Sequence, residues 1–177
     1  MNKIIPNGDV LISEKALKQR VHELGVQLTN DYHGKKLLLV SVLKGCVVFL
    51  ADLMREISLP LEIDFMCVSS YGNSTTSNGS PIILKDLNQR IDDYDVLIVE
   101  DIIDSGNTLS YLYKELSRRN PNSLKICTLL DKPSRRTADI DADYVGFTID
   151  DYFIVGYGLD YAEKFRNQKY ISICQQN

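Results

Sequence analysis

Cysteines are few in this chain, and none lies close to another in the sequence. Cys46, Cys67, Cys127 and Cys174 form no C-x-x-C pair, and each lies in or beside an apolar run. This distribution disfavours a zinc site and a disulfide framework, because both need cysteines at closer or recurrent spacings. The sequence therefore predicts buried free thiols and a reducing compartment.

Long apolar runs and an excess of basic charge are also missing. No apolar run approaches the ~20 residues that a membrane-spanning helix needs, and residues 1–20 show no secretory signal. The net charge is −4 and the isoelectric point is near 5.2, which disfavours a general binder of nucleic-acid backbones. We therefore expect a cytoplasmic protein that binds neither membranes nor nucleic acid.

The 177 residues, 44% of them hydrophobic and 25% charged, suit one well-buried domain. Continuous apolar runs predict strands, and apolar residues at helical spacing predict helices. Strands are expected at 36–43, 61–69, 82–85, 95–100, 124–130, 144–147, 153–155 and 170–173, and helices at 14–31, 46–57 and 107–119. The alternation of strands and helices predicts an α/β domain with a mainly parallel sheet. We find no internal repeat, linker or low-complexity tail.

Polar and charged residues that could bind a ligand or take part in catalysis follow the predicted strands at four separate points. They occur at 44–45, 69–72, 100–108 and 131–132. In open parallel sheets the ligand lies at the carboxyl ends of the strands, so these segments are expected to converge on one site.

The most unusual segment is 96–108, where four apolar residues run into Glu100, Asp101 and Asp104. Three carboxylates at the end of a buried strand are costly to desolvate unless they have a partner. The next residues, 105–108, are Ser-Gly-Asn-Thr, which suit a tight anion-binding turn at a helix start. A ligand with a sugar diol and a phosphate would suit both parts of this segment. The diol, with or without a metal, would bind the carboxylates, and the phosphate would bind the turn.

This segment resembles the signature of phosphoribosyltransferases that use 5-phospho-α-D-ribose 1-diphosphate. Segments 43–45, 69–72, 130–133 and 153–161 are similar to blocks of the hypoxanthine–guanine phosphoribosyltransferases, in the same order and over most of the chain. The resemblance implies a type I phosphoribosyltransferase fold in one domain over residues 1–177. It also implies a small hood, formed largely by residues 150–177 with an N-terminal contribution.

The resemblance implies roles for the acidic and phosphate-binding residues. Glu100 and Asp101 would hold the ribose hydroxyls directly or through Mg²⁺, and Asp160 would bind a second Mg²⁺. Asp104 would be catalytic, taking or relaying the proton of the purine. The implied 5′-phosphate site comprises Asp104, Ser105, Gly106, Asn107 and Thr108.

Further roles follow from the same resemblance. Lys44, Gly45 and Arg166 would contact the pyrophosphate. Lys132 would donate to the exocyclic oxygen of a 6-oxopurine, which disfavours adenine because an ammonium group cannot accept a hydrogen bond. Phe153 would stack on the base and Ile154 would offer its backbone to the base edge. Ser70 and Tyr71, with the small polar residues 73–80, would form a mobile lid that excludes water.

The implied reaction transfers the phosphoribosyl group to hypoxanthine, with guanine as a second expected acceptor, and releases pyrophosphate. It would require Mg²⁺ and serve purine salvage, in a homodimer or homotetramer. Xanthine specificity on the same scaffold remains an alternative. So does a regulator that senses the phosphoribosyl ligand and binds nucleic acid, although the acidic charge and the complete catalytic set argue against it.

Overall fold

The computed structural model describes residues 9–69 and 81–174. Its elements in chain order are β1 (Val10–Ile12), α1 (Glu14–Asp31), β2 (Leu37–Leu43), α2 (Val47–Glu56), β3 (Leu61–Ser69), β4 (Ile82–Lys85), β5 (Asp95–Ile103), α3 (Asn107–Ser117), β6 (Ser123–Asp131), a short 3-10 helix (Pro133–Arg135), β7 (Tyr144–Thr148), β8 (Ile154–Val155) and β9 (Ile171–Ile173).

Six strands form the main sheet in the order β4-β3-β2-β5-β6-β7. All neighbouring pairs in it are parallel except β3 and β4, which are antiparallel. The prediction of an α/β fold with a mainly parallel sheet is confirmed. Strand β5, which carries the acidic segment, lies between β2 and β6, so the loops after these three strands are neighbours.

A second, smaller sheet joins the two ends of the described chain. Strands β1, β9 and β8 pair in that order, and both pairings are antiparallel. This sheet combines an N-terminal strand with two strands from the C-terminal part of the chain.

The helices cover the two faces of the main sheet because each presents an apolar stripe to it. Helices α1 and α2 contribute to one core cluster and α3 to the other. The predicted stripe of α1, Leu17, Val21, Leu24 and Leu28, is fully buried. Its predicted N-cap, Ser13, accepts a hydrogen bond from the amide of Ala16 at 3.2 Å.

Strand β5 is longer than the sequence predicts, because it runs to Ile103 instead of ending at Glu100. Glu100 pairs in register with Thr128, and Ile103 pairs with Asp131. The extension follows from this pairing with β6, and Ile103 is buried in the core. Glu100 and Asp101 therefore lie within the strand and not in the turn that follows it.

All four cysteines are free thiols, as predicted. Cys46, Cys127 and Cys174 are buried and Cys67 is half-buried. Burial raises the pKa of Cys127 to about 12, so this thiol remains protonated at neutral pH. Among the described residues, no helix is long and apolar enough to cross a membrane. The predicted lid residues Ser70 and Tyr71, and the segment 73–80, lie outside the described residues.

Candidate active site

The loop after β2 lies directly against the acidic pair of β5. A β-carbon added at Gly45 would be 1.8 Å from Oδ2 of Asp101 and 3.7 Å from Nη1 of Arg166. Only glycine therefore fits at this position without moving Asp101. The peptide bond between Leu43 and Lys44 is cis. The structure thus brings together a predicted pyrophosphate loop, a predicted sugar-binding carboxylate and a predicted pyrophosphate arginine.

Glu100 and Asp101 are neighbouring half-buried carboxyl groups. Burial and the neighbouring Asp101 raise the pKa of Glu100 well above its usual value. Burial also raises the pKa of Asp101 to about 6, with a further contribution from Asp160 and an opposing one from Arg166. Such a pair is stabilised by a cation or by hydroxyl donors.

The two carboxylates suit a magnesium ion that takes its other ligands from water and from substrate phosphates. Within 9–69 and 81–174, no group of three or more His, Cys, Asp or Glu side chains is arranged to hold a metal. Mg²⁺ is commonly bound by one or two carboxylates together with waters and substrate phosphates. Glu100 and Asp101 can supply those carboxylates, and Asp160 lies close enough to affect the pKa of Asp101.

Arg166 is held by three groups of the C-terminal segment. Its Nη1 donates to the carbonyl of Gly158 at 2.8 Å. Its Nη2 lies 2.7 Å from Oδ1 of Asp160 and 3.3 Å from Oε2 of Glu163. The same Oε2 of Glu163 lies 3.2 Å from Nζ of Lys44. Glu163, which the sequence analysis did not single out, therefore connects the two cations predicted to contact pyrophosphate.

Gly158 permits a second close approach between the C-terminal segment and the loop after β2. A β-carbon at this position would be 2.0 Å from the carbonyl oxygen of Gly45. Gly158 also has a φ of +101°, which favours glycine. This contact positions Arg166 beside Gly45. Sequence spacing alone gave no sign of it.

The predicted phosphate-binding residues line one small cavity of about 130 Å³ at the start of α3. The cavity wall includes Asp104, Ser105, Gly106, Asn107 and Thr108, together with Glu100. Amide groups of Thr137 and Ala138 each donate to the Ser105 carbonyl at 3.0 Å, which fixes this loop from behind. The positive end of the α3 dipole suits an anion here.

The residues predicted to recognise the base converge at the end of β6. Lys132 is 6% exposed, and its Nζ donates to the carbonyl of Tyr152 at 2.5 Å. Phe153, which follows Tyr152 in the sequence, is 40% exposed. Its ring contacts the ring of Tyr161 edge-on, with 5.5 Å between the centroids. Ile154 is buried in β8. A buried ammonium and an exposed aromatic ring therefore lie near each other.

Asp104 lines the cavity at the start of α3 and also contacts the segment that follows β6. Its side chain is 47% exposed, and Oδ1 accepts a hydrogen bond from Nε of Arg135 at 3.3 Å. Nε of Arg136 donates to the backbone carbonyl of Asp104 at 3.2 Å. Neither arginine was predicted, although both follow Lys132 closely in the sequence.

An α/β sheet with an acidic pair and a cavity at a helix start on its carboxyl edge is the arrangement expected of an enzyme that binds a phosphorylated sugar. The comparisons with known proteins give the family. The family model "Phosphoribosyl transferase domain" matches residues 9–162, so the chain belongs to the phosphoribosyltransferase family. The resemblance seen in the sequence is confirmed.

Individual relatives support the assignment. The chain is 56% identical over 166 residues to a hypoxanthine-guanine phosphoribosyltransferase of Bacillus subtilis, covering 94% of this chain and 92% of that protein. It is 54% identical to the bifunctional protein TilS/HprT of Listeria monocytogenes, covering 94% of this chain but only 26% of that longer protein. The crystal structure of a hypoxanthine phosphoribosyltransferase from Staphylococcus aureus superposes with a TM-score of 0.91 at 50% identity, covering 99% of this chain and 96% of that one.

Proposed function

We propose that this chain transfers the 5-phosphoribosyl group from 5-phospho-α-D-ribose 1-diphosphate to hypoxanthine, and also to guanine. The products are the corresponding nucleoside monophosphate and pyrophosphate. The observation that carries the proposal is the placement of an acidic pair, an anion cavity and the buried Lys132 at the ends of the adjacent strands β5 and β6. The named activities of the Bacillus and Staphylococcus relatives support the same reaction.

The 5′-phosphate would bind in the cavity formed by residues 104–108. Backbone N–H groups and the hydroxyls of Ser105 and Thr108 would donate to its oxygens, next to the positive end of the α3 dipole. The ribose hydroxyls would then lie towards Glu100 and Asp101, because Glu100 also lines this cavity. The sugar would be held through its 5′-phosphate and through its ribose hydroxyls. These two contacts would fix the position of C1, where the base displaces pyrophosphate.

Mg²⁺ is the cofactor that the donor set favours. Glu100 and Asp101 would hold one ion and Asp160 a second, and the ions would neutralise the charge that develops on the departing pyrophosphate. Lys44, the backbone of Gly45 and Arg166 would contact the pyrophosphate directly. Because Lys44 and Arg166 already pair with Glu163, the pyrophosphate would compete with that carboxylate.

The base would bind between Lys132 and Phe153. Lys132 would donate to the 6-oxo oxygen, Phe153 would stack on the ring, and the backbone of Ile154 would meet the base edge. Asp104 would accept the proton that the purine loses as its ring nitrogen bonds to C1. The carboxylate suits this role because Oδ1 and Oδ2 belong to a half-exposed side chain beside the phosphate cavity.

The cellular setting would be purine salvage in the cytoplasm, with residues 1–177 acting as one domain. The small sheet β1-β9-β8 would serve as the hood, and Ser70 and Tyr71 would belong to the lid. We also propose a homodimer or homotetramer. Ile63, Ile82 and Leu84 on the adjacent strands β3 and β4 are exposed, and association would remove such side chains from water.

The decisive experiment is a turnover assay of the purified chain with hypoxanthine, guanine, xanthine and adenine. We expect Mg²⁺-dependent release of pyrophosphate with the first two bases and little with adenine. Preferred turnover of xanthine would favour the alternative specificity. No turnover of any purine, combined with binding of the sugar donor and of DNA or RNA, would favour the regulator.

A further inference from the structure

A string of alternating charges links the two groups proposed to act on the base. It runs from Lys132 through Asp151 and Arg135 to Asp104. Nζ of Lys132 lies 3.8 Å from Oδ1 of Asp151, and Nη1 of Arg135 lies 3.5 Å from Oδ2 of the same carboxylate. Nε of Arg135 then donates to Oδ1 of Asp104 at 3.3 Å. The string joins the ends of β5 and β6 to the segment before β8.

These contacts contribute little to the stability of the fold. The side chains of Arg135 and Asp151 are 54% and 51% exposed. Exposed ion pairs of this kind contribute about 0–1 kcal/mol because water and salt screen them. The main effect of these ion pairs is therefore to orient the side chains that they join.

Lys132 is the group in the string that most needs a partner. Its side chain is 8% exposed, and a buried ammonium is unfavourable without a nearby opposite charge. Within the described ranges, Asp151 is the only carboxylate in ion-pair distance of Nζ. The carbonyl of Tyr152 takes one of the three N–H donors at 2.5 Å and leaves others for a ligand.

The chemistry of the base explains why these two ends should be coupled. In a 6-oxopurine the exocyclic oxygen and N7 lie side by side on one edge of the ring. Lys132 would meet the oxygen, while Asp104 would meet the adjacent nitrogen and take its proton. A shared rigid support for both groups would match their separation to that edge.

We propose that Asp151 is a positioning residue of the base site. One of its carboxylate oxygens orients Lys132, and the other orients Arg135, which in turn holds Asp104. This inference rests on the proposed function, because it concerns the base-binding half of that site.

The test compares Asp151→Asn with Asp150→Asn, the neighbouring exposed aspartate, for which the described structure shows no side-chain ion pair. Asp151→Asn should raise the KM for hypoxanthine about three- to tenfold, while the KM for the sugar donor changes less than about twofold. Asp150→Asn should leave both constants unchanged. Equal changes in both KM values for Asp151→Asn would indicate a general structural effect and overturn the proposal, as would unchanged values.

A double-mutant cycle shows whether Asp151 acts through Lys132. In a Lys132→Ala background, adding Asp151→Asn should change the KM for hypoxanthine by a smaller factor than it does in the wild type, because one of the two groups that Asp151 orients is gone. Arg135→Ala should lower kcat, and Arg135→Lys should restore part of the loss. Full additivity in the cycle would overturn the positioning role.

Product binding separates this inference from the proposed function. The affinity of each variant for the 6-oxopurine nucleoside monophosphate is measured by calorimetry, with melting temperatures to verify folding. A wild-type chain that neither turns over hypoxanthine nor binds this nucleotide would overturn both proposals. A fully active wild type with a normal Asp151→Asn variant would overturn only the positioning role.

Discussion

Replacing Asp101 by Asn should stabilise the metal-free protein at neutral pH while it impairs turnover. Asp101 is half-buried beside Glu100, and burial raises its pKa from 3.8 to about 6. A shift of this size corresponds to about 3 kcal/mol at ~1.36 kcal/mol per pH unit, which is an upper limit because the carboxyl group is partly exposed to water. We therefore expect the amide variant to gain about 1–3 kcal/mol in the free energy of unfolding at pH 8.

The sign of the pH dependence follows from linkage. The folded-state pKa of Asp101 lies above the unfolded-state value, so between about pH 4 and pH 6 the folded state binds more protons. The free energy of unfolding should consequently fall as the pH rises through this window and remain lower above it. Glu100, whose pKa is raised in the same direction, adds to this fall.

Urea denaturation at pH 5 and pH 8, with a chelator present, measures the effect. The wild type should lose stability between the two pH values, and Asp101→Asn should lose less. Asp92→Asn is the matched control. Asp92 is an exposed residue, and its hydrogen bond with Arg90 lowers its pKa, so its linkage has the opposite sign. A destabilised Asp101→Asn at pH 8, or a pH dependence equal to that of the wild type, would refute the reasoning.

Magnesium should reverse the order of stability. A cation that binds the folded state stabilises it according to its affinity. Added Mg²⁺ with pyrophosphate should therefore raise the melting temperature of the wild type more than that of Asp101→Asn. An equal rise in both proteins would show that Asp101 does not hold the metal.

Three further substitutions test other parts of the site. Asp104→Asn should lower kcat at least tenfold with little change in the KM for the sugar donor; a near-normal rate would exclude Asp104 as the proton acceptor. Lys132→Ala should weaken the binding of hypoxanthine and guanine more than that of adenine, and an equal loss in competition assays would exclude it as the specificity donor. Tyr157→Phe removes a partly buried 2.6 Å hydrogen bond to Asp52 and should lower the free energy of unfolding in urea by about 1.5–3 kcal/mol; an unchanged value would show that this contact contributes nothing.

The elements of the fold could be predicted because each has its own local pattern. The mostly apolar segment Leu61–Ser69, which follows Pro60, gives strand β3 its correct ends, and the stripe of α1 repeats at helical spacing. The end of β5 could not be predicted in the same way. Glu100 and Asp101 look like the end of a strand, but pairing with β6 continues through them to Ile103. Pairing between strands depends on a neighbour that local sequence does not show.

In the candidate site, too, the residues that are contiguous in the sequence could be predicted, and the contacts between separate segments could not. Residues 104–108 are contiguous, so one motif supplies most of the wall of the predicted phosphate cavity. Glu163 contacts a distant part of the chain, since it pairs with Lys44 at a separation of 119 residues, and Asp151 contacts Lys132 and Arg135 from beyond strand β7. Exposed acidic residues in loops have no periodicity, and a surface aspartate looks the same in sequence whether or not a buried lysine lies beside it. These contacts depend on how the sheet arranges the loops after its strands, so only the three-dimensional structure shows them.

The charges of the assembled site explain why metal and substrate should bind together. Burial raises the pKa of Glu100 and of Asp101, whereas Lys44 and Arg166 are already paired with Glu163. A bare diphosphate would have to displace Glu163 and would add negative charge beside the acidic pair, which is unfavourable at low local dielectric. A magnesium complex of the same diphosphate brings positive charge to the carboxylates and negative charge to the two basic side chains. Under the proposed function, the acidic pair would therefore favour the metal complex, and Glu163 would limit how tightly Lys44 and Arg166 hold the diphosphate, so that pyrophosphate could leave after transfer.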